Sequence, residues 1–253
     1  MSEINSDYSI RLNEVTKIYG QRNKRTVALD NIGLDVARGE FVCLVGASGC
    51  GKSTLLNLVA SLDSVTSGTV EVNGRTALMF QESALFPWLT AAGNVDLALR
   101  LRGVPKSERP AKVDELLHSV HLQDFGKKRP HELSGGMRQR VALARAFAQD
   151  ADILLMDEPF GALDAMTRDI LHDELEKLWR ERNFSVLFVT HNVREASRLG
   201  DRVLVLTSRP GKVAHEINVD IARPRRIDSP EVSSLSAEIT ARLREEVRRH
   251  AND

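Results

Sequence analysis

A glycine-rich loop places the strongest constraint on how this chain can fold. The segment from Gly46 to Thr54 reads GASGCGKST and follows an apolar run, residues 41–45, that predicts a buried strand. Residues 54–62 then carry apolar side chains at helical spacing. In such a turn the backbone N–H groups converge, and the N-terminus of the helix adds partial positive charge. The order strand, loop, helix therefore predicts a cradle for phosphate groups.

The spacing of Gly46, Gly51, Lys52 and Ser53 matches the phosphate-loop pattern of nucleotide-binding proteins. Lys52 would neutralise phosphate charge, and the hydroxyl of Ser53 would supply an oxygen to Mg²⁺. The alternative is a glycine-rich turn with an exposed lysine, which leaves the flanking strand and helix patterns unexplained. We predict that ATP and Mg²⁺ bind here. The predicted nucleotide contacts in the loop are Gly46, Ala47, Ser48, Gly49, Cys50, Gly51, Lys52, Ser53 and Thr54.

Charge, cysteine content and hydropathy limit the classes of function that this chain can have. The 253 residues include 35 basic and 35 acidic side chains, so the formal net charge is zero and no overall basic footprint predicts a nucleic-acid partner. Cys43 falls in a predicted buried strand and Cys50 in the loop, positions that favour reduced thiols over a disulfide. No secretory signal pattern and no apolar run long enough for a membrane span is present. We expect a soluble chain whose membrane role depends on a partner.

Apolar runs alternate with helical patterns over much of the chain. Strands are predicted at residues 153–156, 185–190 and 202–206, and helices at 165–182 and 192–198, which indicates an α/β fold with a parallel sheet covered on both faces. Residues 9–45 predict a small antiparallel β lobe, and residues 82–150 a helical lobe. The β lobe and core would together span about residues 9–81 and 151–220 of one domain, 1–253.

The last segment, residues 221–253, predicts a C-terminal extension with an amphipathic helix. Ser229 and Pro230 can cap and begin it. We expect its apolar stripe to dock on the body of the domain, with a partner surface as the alternative. The stripe consists of Val232, Leu235, Ile239, Leu243 and Val247.

Polar residues follow the predicted strands at the edge where parallel sheets bind ligands. Asp157 and Glu158 end the strand that begins at Ile153, and we predict that Asp157 helps to hold Mg²⁺ while Glu158 polarises the attacking water. His191 follows the strand at 185–190 and would contact the γ-phosphate. Gln81, at the end of residues 76–80, could hold the Mg²⁺ shell or the water. Taken singly, each could be a solvated strand end or a structural residue.

A second small-residue loop opens another predicted helix. Ser134 would cap it, and Gly135 and Gly136 would let an anion approach the backbone. One nucleotide does not need two such cradles. If both serve one ATP, they come from different molecules, and a head-to-tail dimer with two ATPs at its interface follows.

Together these residues resemble the nucleotide-binding subunits of ABC transporters, over nearly the whole chain and in the order of that family. The resemblance implies a P-loop, RecA-like core with an inserted helical lobe. It makes Gly46–Thr54 the Walker A loop, residues 153–157 the Walker B strand, and residues 133–139 the signature. It also implies that Tyr19 stacks on adenine, that Asp164 belongs to the D-loop, and that Gln81, Glu158 and His191 are the Q-loop, catalytic-base and switch residues.

Two positions depart from the pattern of the family. Asn192 stands where relatives commonly carry an acidic residue, and Met137 replaces a frequent glutamine of the signature. Neither change removes a group expected to touch phosphate. The turn between Gly74 and Phe80 is also tighter than in many relatives.

A narrower likeness points to the nitrate, sulfonate and taurine import group. It is carried by residues 80–90, 157–168 and 208–211, and the tail at 219–226 is similar to that of aliphatic sulfonate importers. Phe86, Pro87 and Trp88 would line a groove for a coupling helix of the membrane subunit, unless Trp88 belongs to the core of the helical lobe.

The resemblance implies a transport ATPase that couples hydrolysis of ATP to import of a solute, most simply an aliphatic sulfonate. Taurine, nitrate or a related small solute is the alternative. The implied partners are a second copy of this chain, two transmembrane permease subunits and, indirectly, an extracytoplasmic solute-binding protein, at the cytoplasmic face of the membrane. A soluble ABC ATPase without a transport role is the rival class, although such proteins usually carry two motif sets or a long coiled coil.

Overall fold

The structure, a computed structural model, describes residues 7–20 and 25–251. Of the predicted turn between Tyr19 and Thr26, residues 21–24 lie outside this range. The chain divides into two compact units, one formed by the residues up to Arg75 together with those from Asn183 onward, and the other by Thr76–Arg182. The predicted lobe boundaries remain a prediction.

The elements of each unit follow the chain order. The first unit contains β1 (Tyr8–Tyr19), β2 (Thr26–Ala37), β3 (Phe41–Val45), α1 (Lys52–Val59), β4 (Ser67–Val72), β7 (Ser185–Val189), α6 (Val193–Leu199), β8 (Arg202–Leu206), β9 (Val213–Asn218) and α7 (Pro230–Ala251). The second contains β5 (Thr76–Met79), α2 (Ala91–Leu101), α3 (Arg109–Ser119), short 3-10 helices at Gln123–Phe125 and Pro130–Glu132, α4 (Gly135–Ala148), β6 (Ile153–Asp157) and α5 (Ala165–Arg182).

An antiparallel sheet in the first unit confirms the predicted β lobe. β1 lies between β2 and β4 and pairs antiparallel with both. Ile10 and Leu12 are buried two residues apart, the period by which a strand buries one face. The pairing register shifts between Leu12 and Val15, and this irregularity returns Val15 to the buried face although it is three residues further on.

The sheet behind the phosphate loop is also in the first unit. β3 is buried along its whole length and pairs parallel with β7 on one side and β8 on the other. Burial on both faces explains its unbroken apolar sequence. β9 adds an antiparallel strand beside β8, which we did not predict because its sequence, VAHEIN, alternates weakly and is mostly half-buried.

The second unit pairs β5 with β6 in parallel, in the register Met79 to Met156. Its helices α2, α3 and α4 pack against one another, as predicted for a helical region. α5 spans the predicted residues, Ala165–Arg182.

Helix α7 begins at Pro230, as predicted, and packs against α6 and β8. Val232 and Ile239 are fully buried, so the apolar stripe docks on the body over the first turns. The expectation is wrong for the end of the stripe, because Val247 is 44% exposed. Among the residues that the structure describes, no helix combines the length and apolarity that crossing a bilayer requires.

Both cysteines are free and buried, which confirms the prediction of two unpaired thiols. Burial raises the pKa of the Cys43 thiol well above its ordinary value. This sulfur is therefore a packed apolar group of the central strand β3.

Candidate functional site

The glycines of the phosphate loop are required by its backbone. Gly49 and Gly51 have φ values of 76° and 101°, in the left-handed region that side chains disfavour. A Cβ on Gly51 would also come within 2.6 Å of the Leu29 side chain. The loop is therefore seated tightly on β2, and α1 begins directly after it at Lys52.

Lys52 folds back over the loop. Its ammonium group donates to the carbonyl oxygens of Gly46 and Ala47, each at 2.9 Å, and lies 3.7 Å from the Cys50 sulfur. Lys52 as a whole is only 7% exposed. The positive charge is thus held inside the curl of the backbone, where a phosphate chain would need it.

Residues 208–211, noted above only for their likeness to the nitrate, sulfonate and taurine import group, contact this loop from outside. The Arg209 guanidinium donates to the Gly49 carbonyl oxygen at 3.3 Å. Gly211 packs so closely that a Cβ there would lie 2.1 Å from the Cys50 carbonyl oxygen. Sequence reasoning missed both contacts, because residues 208–211 lie about 160 positions from the loop and no local pattern links them.

The predicted adenine-stacking residue, Tyr19, is 41% exposed and anchored at one end. Its hydroxyl donates to the Asp63 carboxylate at 2.8 Å, and the Lys17 ammonium donates to the same carboxylate at 2.6 Å. These bonds, with that from Lys17 the largest cause, lower the pKa of Asp63 to about 2. The tyrosine ring is therefore fixed in orientation while part of its surface stays accessible.

His191 follows β7, as predicted, and is exposed in the loop before α6. The loop is held from beneath, because the buried Thr190 hydroxyl donates to the buried Glu195 carboxylate at 2.7 Å. Asn192 caps α6 by accepting from the Arg194 N–H at 3.0 Å. Asparagine and aspartate are about equally good at this position, so the departure of Asn192 from the family leaves the cap intact. Glu195 was missed because no sequence pattern shows that its side chain folds back onto Thr190, five residues earlier.

In the second unit, Gln81 and Glu158 meet at the carboxyl ends of the neighbouring parallel strands β5 and β6. The Gln81 amide donates to the Glu158 carboxylate at 3.4 Å. The Gln81 carbonyl oxygen accepts from the buried Gln139 amide at 3.2 Å, which fixes the backbone of this loop. Glu158 has a left-handed φ of 46° and directly follows Asp157, the last residue of β6.

Ser134 caps α4, as predicted, by accepting from the Met137 N–H at 3.2 Å. Gly135 has open space where a Cβ would stand, with nothing nearer than 3.8 Å. A Cβ on Gly136 would lie 3.0 Å from the Leu163 side chain. Met137 contributes its backbone N–H to the cap, so the side chain that departs from the family pattern is not needed there.

Asp164, beside Leu163, stands just before α5. Its carboxylate accepts from the Thr167 N–H at 2.9 Å. This bond holds the pKa of Asp164 below its ordinary value, so the residue is a fixed negative charge.

Trp88 is 67% exposed and packs against the Phe86 ring, with the ring centroids 5.3 Å apart. The alternative that Trp88 belongs to the core is therefore wrong. The backbone of Phe86 is held by the buried Asn94 side chain, which accepts from its N–H at 2.9 Å. The pair forms a rigid, accessible aromatic surface on the second unit.

Candidate Mg²⁺ ligands are oxygen donors in both units: Ser53 at the start of α1, and Gln81 with Asp157 at the strand ends. Hydroxyl, amide and carboxylate oxygens are the donors that this ion prefers. Within the described residues, no group of three or more His, Cys, Asp or Glu side chains could hold a metal by itself. The donors of each unit, taken separately, fit an ion that takes its other ligands from water and phosphate.

Comparison with known proteins places these features in a family. The ABC transporter family model matches residues 29–161. The aliphatic sulfonates import ATP-binding protein of Bacillus subtilis is 44% identical over 87% of this chain and 88% of that protein. The taurine import ATP-binding protein of Rhizobium johnstonii is 42% identical over 94% and 95%.

A solved structure resembles the fold. It is a dimeric, post-hydrolysis state of an ATP-binding cassette bound to ADP and Pi, with a TM-score of 0.77 and 34% identity. The match covers 84% of this chain and all of the other.

Proposed function

We propose, because this chain belongs to the ABC transporter family and is an ATP-hydrolysing subunit, that it energises import of an aliphatic sulfonate. Two observations support this solute: the identity to a sulfonate import protein over most of both chains, and the likeness of residues 219–226 to that group. Taurine, nitrate or a related small solute is the alternative, and the taurine import relative is nearly as similar. The solute is tested by growth of a deletion strain on alkanesulfonates, taurine, sulfate or nitrate as sole sulfur or nitrogen source.

The contact between Gln81 and Glu158 carries the proposed chemistry. A carboxylate held at a strand end beside an amide can accept a hydrogen bond from a water molecule. The bond orients the water so that a lone pair of the water oxygen points at the phosphorus atom. In-line attack on the γ-phosphate would then break its bond to the bridging oxygen, giving ADP and phosphate. His191 would contact the γ-phosphate, and bound Mg²⁺ would neutralise charge on the phosphate oxygens.

The phosphate loop and the Ser134 loop are proposed to act on the same ATP from different chains. Both offer backbone N–H groups at a helix N-terminus, as anion sites do. The solved relative is a dimer with bound ADP and Pi, which supports this arrangement. Two copies would close on two ATP molecules because only the closed state makes the second set of phosphate contacts.

A mixing experiment tests the shared site. Lys52→Ala alone removes the loop cation from every site, and Ser134→Ala alone removes the cap from every opposing loop. In a mixed dimer of the two variants, a shared arrangement puts both defects in one site and leaves the other intact. Random pairing then restores about a quarter of the sites. If each chain hydrolyses ATP by itself, mixing restores nothing.

Two permease subunits, with an extracytoplasmic binding protein beyond them, are the proposed transport partners. The chain would sit peripherally at the cytoplasmic face of the membrane, and the exposed pair Phe86 and Trp88 would receive a permease helix. Aromatic residues are enriched in the buried centres of interfaces. A soluble, non-transport ATPase is the rival, and failure of the chain to copurify with membrane subunits would favour it.

A further inference from the structure

A groove of about 880 Å³ lies in the first unit, between the start of α6 and the last turns of α7. Its walls include the side chains of His191 and Arg194 on one side. Arg244 and Arg248, one helical turn apart on α7, stand on the other. Among the residues predicted above to contact the nucleotide or Mg²⁺, His191 lines this groove and the others do not.

The groove is positively charged, because its arginines have no acidic partner among the residues that the structure describes. Arg194, Arg244 and Arg248 form no side-chain hydrogen bond or ion pair within the described part of the chain. Other arginines of α7 differ: Arg242 pairs with Glu238 at 2.6 Å, and Arg249 pairs with Glu245 at 2.6 Å. Glu238 and Glu245 are thus paired with arginines that lie outside the groove.

The groove also contains apolar surface. Val247, which we expected to be buried with the rest of its stripe, is 44% exposed here, and Leu243 and Val193 line the same space. Covering these side chains with an apolar group removes their surface from water, which lowers the free energy. A ligand that matches the groove therefore combines negative charge with a short hydrocarbon part.

We infer that this groove binds an organic oxyanion, with a sulfonate or phosphate head between the arginines and an alkyl chain on Val247 and Leu243. Guanidinium groups present paired N–H donors that suit the oxygens of such a head. The groove contains no residue of the phosphate loop, and its charge and shape do not depend on which solute is transported. Because His191 borders the groove, a bound ligand would lie beside the proposed switch residue.

Calorimetric titration of the intact chain with hexanesulfonate is the first test. We expect one molecule to bind per chain. The affinity should decrease as the salt concentration rises from low to moderate, because salt screens the charge of the solvent-accessible arginines. Shortening the probe to butanesulfonate and ethanesulfonate should weaken binding by about two- to fourfold per methylene removed. Absence of binding, or inorganic sulfate binding as tightly as hexanesulfonate, would overturn the inference.

Arg244→Gln with Arg248→Gln removes two charges and keeps good helix formers. This double variant should bind hexanesulfonate at least about tenfold more weakly, since charge-assisted hydrogen bonds to both side chains are lost. Arg242→Gln, on the same helix and already paired with Glu238, is the matched control and should bind normally. Equal weakening by the control would show a general charge effect and contradict the site.

Two further measurements separate the groove from other anion sites. ATP affinity of the double variant should match that of the parent chain; a parallel loss would assign the arginines to the nucleotide site and overturn the inference. Cosedimentation with vesicles of anionic phosphatidylglycerol tests a lipid head group as the source of the anion. If the chain binds these vesicles only when both arginines are present, and does not bind soluble hexanesulfonate, the groove is a membrane contact and the inference is wrong.

Discussion

The Gln81 amide nitrogen lies 3.4 Å from a carboxylate oxygen of Glu158, across the ends of two parallel strands. Each residue stands within two positions of the end of its strand, so the parallel register of β5 and β6 sets their separation. A water molecule that bridges to this pair would meet one donor and one acceptor.

Glu158→Gln should lower phosphate release by about 10²- to 10⁴-fold, the usual contribution of a general base, while ATP binding persists. Glutamine is nearly isosteric and can still accept from Gln81, so the change isolates the loss of the base. Phosphate release and equilibrium nucleotide binding are measured side by side. Glu181→Gln, an exposed change at the end of α5, is the control. Unchanged turnover in Glu158→Gln would remove Glu158 from the role of base.

Ser134→Ala should reduce turnover beyond its effect on stability. Loss of a helix cap costs about 1 kcal/mol. Thr90 offers a matched control, because it caps α2 in the same unit by accepting from the Gly93 N–H at 3.0 Å. Thr90→Ala should lower the melting temperature to a similar degree and leave turnover close to normal. If both variants lose turnover equally, Ser134 acts through folding and has no contact with ATP.

Arg209→Gln should raise the KM for ATP more than it lowers kcat. The guanidinium steadies the phosphate loop through the Gly49 carbonyl oxygen, and one hydrogen bond is worth about 1 kcal/mol, or roughly fivefold. Steady-state kinetics across ATP concentrations checks this. Arg226→Gln, which breaks an exposed pair with Asp228 far from the loop in sequence, should change neither constant. An unaltered KM in Arg209→Gln would show that the contact does not shape the loop.

Asp63→Asn should lower the melting temperature near neutral pH. The folded-state pKa of Asp63, about 2, lies below its ordinary value of 3.8, so the charged form stabilises the fold above pH 4. That stabilisation is lost as the pH falls from about 4 to 2, and the two proteins should converge there. Asp35→Asn, which breaks an exposed pair with Arg11, should have a smaller effect. A difference independent of pH would rule out the carboxylate charge as its cause.

Trp88→Ala should weaken copurification of the chain with its permease subunits without lowering its melting temperature, since the side chain is mostly exposed. Loss of an aromatic anchor at an interface commonly costs more than about 2 kcal/mol, or some 30-fold in affinity. Leu101→Ala removes another exposed apolar residue of the same unit and should copurify normally. Normal recovery of Trp88→Ala would exclude this surface from the permease contact.

Sequence reasoning succeeded where one short pattern determines the structure. The loop at Gly46, the cap at Ser134 and the bounds of α5 each follow from adjacent residues. It failed where distant segments meet, as for the Arg209 contact to Gly49. It also missed the support of the His191 loop by Glu195, because no short pattern specifies that this side chain folds back onto Thr190 at the end of the preceding strand. A helical stripe likewise shows which face can be buried, and it does not show how far the neighbouring body extends. This explains the exposed end of α7.

The Cys50 sulfur is buried inside the phosphate loop, 3.7 Å from the Lys52 ammonium. Its companion, Cys43, is buried in the central strand. A maleimide or iodoacetamide can therefore alkylate the native chain at the loop only while the loop opens. The rate of this reaction, followed by mass spectrometry and compared with and without nucleotide, would time the opening of the loop without an engineered label.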